Sequence, residues 1–193
     1  MAVRKIHVWP DPVLKEVAKP VVTVDDAMRT LVDDLFETMY AANGVGLAAN
    51  QVGVTQRVLV IDLDPKGESG SDPDFRADLD AWGFVGPTVL INPEIVETSG
   101  TIAWEEGCLS VPGITESVQR HEHVQVHALD RDGQNLQLQA HGLFAVAIQH
   151  EMDHLVGRVF VDYLSKLKRD VIKRKMLRLK SKESQEAAAP PPA

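Results

Sequence analysis

The stretch QHEMDHL sets His150, Glu151 and His154 in the pattern H-E-x-x-H. Residues four apart on a helix share one face about a turn apart, so two imidazoles there can grip one metal ion. Glu151, next to the first histidine, can reach a water on that ion and act as general base. The bland alternative is a surface helix with scattered His and Glu. The run Leu143, Phe144, Val146, Ala147 and Ile148 just before the motif argues against it. A helix this apolar is buried, and two histidines with two carboxylates inside it need partners.

A catalytic metal needs a third protein ligand. Gly157 stands where an extended protease motif has its glycine, but Val159 and Phe160 follow and no histidine arrives. Asp162 is the only early carboxylate downstream. Upstream, one candidate is Cys108 in WEEGCLSVPG, the only cysteine of the chain. It cannot form an internal disulfide, which leaves a buried hydrophobe, a nucleophile or a metal ligand. With two helical histidines it would make a three-ligand site with an open fourth position. The other candidates are His121, His123 and His127 of RHEHVQVH, which share one face of a strand at period two. Those histidines read more simply as the solvated face of a strand whose other face is Val124, Val126 and Ala128.

A third constellation is GVGLAANQVG, residues 44–53. It lacks the third glycine of a dinucleotide loop and the Gly-Lys-Ser/Thr end of a phosphate loop. Its small residues Gly46, Ala48 and Ala49 suggest instead a close approach of another backbone. Gln51, polar in an apolar setting, has an amide that can donate to a developing oxyanion.

The motifs GVGLAANQVG, EGCLS and HEMDHLVG, in that order, resemble those of the peptide deformylases of the common bacterial type. The likeness runs from IHVWPDPVLKEVAKPV to about Lys180. It implies that Cys108, His150 and His154 bind one divalent metal, Fe(II) in nature, with Zn, Ni or Co able to take the place. It implies that Glu151 activates water against the formyl carbon of an N-formyl-methionyl peptide, while the Gln51 amide and the Leu109 backbone N–H hold the oxyanion. The products are formate and a free amine. Leu143, Val146 and Ala147 share the ligand face of the helix, and Val45 and Trp104 flank the other two motifs. These five are the expected methionine pocket. The substrate backbone is expected to pair beside Gly46 and the EGCLS segment, including Glu106 and Gly107. The alternatives from other classes are a zincin-like metallopeptidase, a cysteine hydrolase and a binding module with a structural metal.

An α+β fold has to position these groups, with mostly antiparallel strands around a central helix that bears the HExxH motif. TVDDAMRTLVDDLFETMYAANG predicts an N-terminal helix with Met28, Leu31, Leu35 and Met39 at helical spacing. QRVLVIDLD and TVLINPEIVE predict strands, and HVQVHALDRDGQNLQLQAHG a hairpin turning at Asp132-Gly133. LFAVAIQHEMDHLVG predicts a buried helix that stops at Gly157. Residues 64–83, DPKGESGSDPDFRADLDAWG, predict an acidic, solvated loop with at most a short helical turn. This insertion is longer than the resemblance leads one to expect.

At 193 residues the chain predicts one catalytic domain over residues 1–182 and a disordered tail over 183–193. The net charge of −8 hides an asymmetry. Residues 166–182 carry nine Lys or Arg and one Asp, against 11 basic and 25 acidic residues in 1–165. The acidic body should repel DNA. Leu167, Val171, Ile172, Met176 and Leu179 make the basic segment an amphipathic C-terminal helix. The resemblance adds that it could dock on a ribosome, where formylated nascent peptides emerge. No apolar run approaches a membrane span, and the N-terminus lacks the apolar region of a secretory signal. A single cysteine fits a reducing compartment, most simply the cytoplasm.

Overall fold

The structure, a computed structural model, describes residues 2–188. The first helix, α1 (Asp26–Ala41), starts where Asp25 accepts a hydrogen bond from the Met28 N–H. It buries Met28, Leu31, Val32, Leu35 and Met39 along one stripe. The strands β1 (Gly46–Ala48), β2 (Val58–Ile61), β3 (Thr88–Ser99), β6 (His123–Leu129) and β7 (Asn135–His141) form one antiparallel sheet in the order β1-β2-β3-β6-β7. The strands β4 (Ile102–Cys108) and β5 (Val111–Arg120) form a separate two-stranded ribbon. Helix α3 (Gly142–Leu155) carries the HExxH residues, and α4 (Lys166–Ala188) ends the described chain.

The strand β2 shows how the layers are built. Its side chains alternate between the two faces of the sheet. Val58 and Val60 pack in the cluster of α1, whereas Leu59 and Ile61 pack with Phe144, Ala145 and Ile148 of α3. The sheet is therefore covered on both faces, and all four β2 residues are buried. Burying Phe144 and Ile148 contributes about 1.5–3 kcal/mol each. A third cluster joins Val111 and Val118 of the ribbon to Trp9, Phe160, and Ile172 and Met176 of α4.

Three expectations change. Residues 64–83 are not plain loop, because they contain α2 (Pro73–Ala81). Asp72 caps it by accepting from the Asp74 and Phe75 N–H groups, and Pro73 opens its first turn. Phe75, Leu79 and Trp82 then pack into the α3 cluster. The C-terminal helix continues past residue 182 to Ala188, while residues 189–193 of the expected tail lie outside the described residues. Its apolar stripe is narrower than expected. Ile172 and Met176 are buried, but Leu167 is 74% and Val171 52% exposed.

Candidate active site

The three sequence motifs converge on one cleft of about 560 Å3. Its walls come from the α1–β1 turn and Gly46, from β4 and the Cys108–Thr115 reversal, and from α3. At its base the donor atoms of Cys108, His150 and His154 lie within 4.8 Å of one another. The Cys108 Sγ is 3.3 Å from His154 Nε2. Among the described residues this is the only group of three or more His, Cys, Asp or Glu that could hold an ion. The alternative third ligands do not join it. His121 is fixed by its backbone, with its N–H donating to Gln149 Oε1 and its carbonyl accepting from Gln149 Nε2. His123 lies opposite His141 across β6–β7, with the two rings in contact.

The chemistry of this donor set fits a metal. A thiolate and two imidazoles suit Fe(II), Zn and similar ions. Glu151 Oε2 and His154 Nδ1 are buried without a hydrogen-bond partner, as expected where a further polar group belongs. The electrostatics agree. Burial opposes a charge on His150, yet Cys108, Glu106 and Glu151 outweigh it and hold its pKa well above the usual value. Burial, reinforced by the positive His150, pushes His154 well below its usual value. Burial and the nearby Glu106 raise the Glu151 carboxyl to about 7, against the opposing pull of His150.

Glu151 has its place because residue 46 lacks a side chain. A Cβ on Gly46 would come within 2.5 Å of Glu151 Oε1 and 3.0 Å of its Cδ. Gln51 is oriented from behind, since its Oε1 accepts from the Ala48 N–H at 2.8 Å. Its Nε2 therefore points into the site, donating to Ser110 Oγ at 3.2 Å and towards Cys108 Sγ at 3.6 Å. Leu109, Val45, Gly46, Trp104, Gly107, Leu143, Val146 and Ala147 all line the cleft. Glu106 lines it too, but its carboxylate is already committed. It accepts from Arg120 Nε at 2.6 Å and Nη2 at 2.9 Å, and its Oε2 lies 2.7 Å from His150 Nδ1. These contacts set the carboxylate against the His150 ring, where it fixes the orientation of the imidazole.

Sequence reasoning missed the group that anchors Glu106. Arg120, on the last residue of β5, also donates from Nη1 to Asp153 Oδ2 at 2.6 Å. Asp153 in turn accepts from the Tyr163 hydroxyl at 2.9 Å, and the Arg120 guanidinium lies 4.7 Å over the Tyr163 ring. Burial would push the Glu106 carboxyl up, but Arg120 and His150 overcome this and hold it low. The only sequence signal was Asp153, a second carboxylate on an apolar helix in need of a partner.

A family model described as polypeptide deformylase matches residues 3–170. The chain is 51% identical over 179 residues to the peptide deformylase of Alkalilimnicola ehrlichii, covering 93% of this chain and 92% of that one. It superposes with a TM-score of 0.82 on a crystal structure of a peptide deformylase from Legionella pneumophila, at 43% identity and covering 98% and 100% of the two chains. A peptide deformylase from Ehrlichia chaffeensis in complex with actinonin gives the same TM-score at 41% identity, covering 95% and 99%.

Proposed function

The chain belongs to the polypeptide deformylase family, and from that premise we propose how its own residues carry out the reaction. The enzyme hydrolyses the N-formyl group of formyl-methionine on newly made polypeptides, releasing formate. The observation that carries the residue assignment is the convergence of Cys108, His150 and His154 beside a buried carboxylate without a full set of partners.

In this reading Cys108, His150 and His154 hold one divalent ion, natively Fe(II). Such an ion supplies positive charge that acidifies a water and polarises a carbonyl oxygen. Glu151 takes the proton of the attacking water at its carboxylate as the new C–O bond forms. It hands that proton to the amine nitrogen as the C–N bond breaks, leaving formate and a free N-terminus. The Gln51 amide and the Leu109 N–H donate to the oxyanion. Removing one such donor costs on the order of 100- to 1,000-fold in rate. Leu143, Val146, Ala147, Trp104 and Val45 receive the methionine side chain. Among the described residues β1 pairs only with β2, so its other edge can pair with an extended substrate.

Formate release from formyl-Met-Ala-Ser by anaerobically purified protein, with metal content measured alongside, tests the reading. A full metal site and no formate refutes it. A zincin-like peptidase has no support, since the group that could hold an ion joins Cys108, and no downstream residue, to the two histidines. We place the enzyme in the cytoplasm, with the exposed basic side of α4 as a contact for the ribosome. Among the described residues no helix is long and apolar enough to cross a membrane. Ile172 and Met176 of α4 belong to the core, so the test changes its exposed side and keeps the helix. Charge reversal at the exposed Lys173 and Arg178 should weaken ribosome co-sedimentation at moderate salt while the protein stays folded.

A further inference from the structure

The histidines that stay out of the catalytic cleft make a cluster of their own. His123 on β6 and His141 on β7 are direct partners across the antiparallel pair. Gln125 and Gln139 are the next partners on the same face, and Ser99 and Glu97 of β3 lie opposite His123 and Gln125. The other face carries Val124, Val126 and Ala140, which pack in the α3 cluster. The histidine face is therefore the outer one, and it borders a hollow of about 330 Å3. His127 is on the same face further along β6, opposite Gln137, and does not line this hollow.

The two rings meet edge to face with centroids 4.6 Å apart, and the Nδ1 of His123 contacts the Nδ1 of His141. Two imidazole lone pairs repel at contact, so the pair needs a shared proton or a metal ion. Glu122 biases the tautomer. Its Oε2 is 3.9 Å from His123 Nε2, the nitrogen that does not face His141. A carboxylate there favours a proton on Nε2 and leaves the Nδ1 lone pair for a ligand. Glu122 has that place because residue 100 is glycine: a Cβ on Gly100 would come within 2.8 Å of Glu122 Oε2. The backbones on both sides are pinned. The His141 N–H donates to the Trp82 carbonyl at 3.0 Å, and the Gly142 N–H donates to the Glu122 carbonyl at 3.0 Å. Only side-chain torsions have to adjust to seat an ion between the rings.

We propose that His123 and His141 form a second metal site, which takes one divalent transition ion of the kind that prefers imidazole: nickel, copper or zinc. Imidazole nitrogens suit these ions, whereas magnesium and calcium prefer oxygen ligands. The pair supplies two ligands, and water from the open hollow completes the shell. Both histidines are partly exposed, so the ion enters without any opening of the fold. On entry it displaces the proton held between the two nitrogens. The site is separate from the catalytic one. His141 immediately precedes α3, and His150 follows about 14 Å further along the helix.

The test takes the full-length, nickel-loaded enzyme and counts further nickel bound in equilibrium dialysis. The parent should hold one equivalent more than His123→Gln or His141→Gln at the same free nickel. Counting the difference keeps the result independent of what fills the catalytic site. The His141 side chain does not cap α3, so its replacement leaves the helix start intact. His127→Gln, on the same face but outside the hollow, should bind as the parent does. Glu122→Gln should weaken the extra binding about tenfold, the low end for such a partner because its side chain is nearly half exposed. Formate release should be unchanged in all four variants, since none of these residues lines the catalytic cleft. Equal uptake by the parent, His123→Gln and His141→Gln overturns the site and leaves a pair that only shares a proton. An equal loss in His127→Gln also overturns it, because the extra nickel would then be scattered over surface histidines.

Discussion

Replacing Gly46 by alanine should cripple the catalytic base without touching a metal ligand. The added Cβ would sit 2.5 Å from Glu151 Oε1, whereas ordinary contact begins near 3.4 Å. The carboxylate must therefore retreat by about 0.9 Å, because α3 behind it is packed and buried. Misplacing a catalytic group by about 1 Å costs roughly 100-fold, or ~2.7 kcal/mol on the barrier. The assay is formate release from formyl-Met-Ala-Ser, with kcat and KM separated and metal content measured on the same sample. The loss should fall on kcat, and the metal should stay, since Cys108, His150 and His154 keep their places. Glu151→Asp shortens the side chain and clears the space, so adding it to Gly46→Ala should cost less than the two single effects combined. Activity within about threefold of the parent, with the metal retained, would show that Glu151 does not depend on this close approach. Loss of metal along with activity would point to disrupted packing and refute the argument equally.

Other substitutions separate the remaining roles. Glu151→Gln should keep the metal and lower formate release by about 100- to 10,000-fold, read by elemental analysis and single-turnover kinetics. Cys108→Ala should lose the ion in equilibrium dialysis, whereas a site completed by another residue would retain it. Arg120→Met takes the guanidinium from two buried carboxylates, leaving Glu106 to His150 and Asp153 to the Tyr163 hydroxyl, so denaturant unfolding should register a loss of about 3–5 kcal/mol. The same variant should bind metal about 10- to 100-fold more weakly, because Glu106 loses the partner that holds it against His150. Asp34 supplies a pH test. Burial raises its pKa, but the Ala2 N–H and Arg4 outweigh that and hold the folded value below 3.8. Its support is present above the unfolded value and is lost as pH falls through the folded one. The difference in urea midpoint between the parent and Asp34→Asn should therefore hold from neutrality to about pH 5 and close in strong acid. A gap that persists there would refute the assignment.

The site was legible where chemistry and spacing coincide. His150, Glu151 and His154 stand out because the helical period and the ligand requirement pick the same residues, and Cys108 stands out as the only thiol. Arg120 did not, because nothing local distinguishes an arginine that ends a strand at the surface from one buried against Glu106 and Asp153. Its role depends on β5 returning alongside β4, which is a long-range fact. The helix α2 was missed for a different reason. Acidic residues masked a period that was present, with Phe75, Leu79 and Trp82 spaced for one face behind an Asp-Pro start. Leu167 and Val171 erred the other way. They fit the stripe of α4 by number, but the cluster that buries Ile172 and Met176 leaves them exposed.

That ribbon has a bearing on how the ion would come and go. β4–β5 belongs to neither face of the five-stranded sheet, and it carries Cys108 at one end of β4 and Arg120 at the end of β5. Lifting this hairpin withdraws one ligand and the support of another, yet leaves the sheet, α1 and α3 assembled. Exchange of the ion should then be paced by a local opening well short of unfolding. Amide hydrogens of residues 102–120 should exchange with deuterium faster than those of β2 or β3, and more slowly once metal is bound.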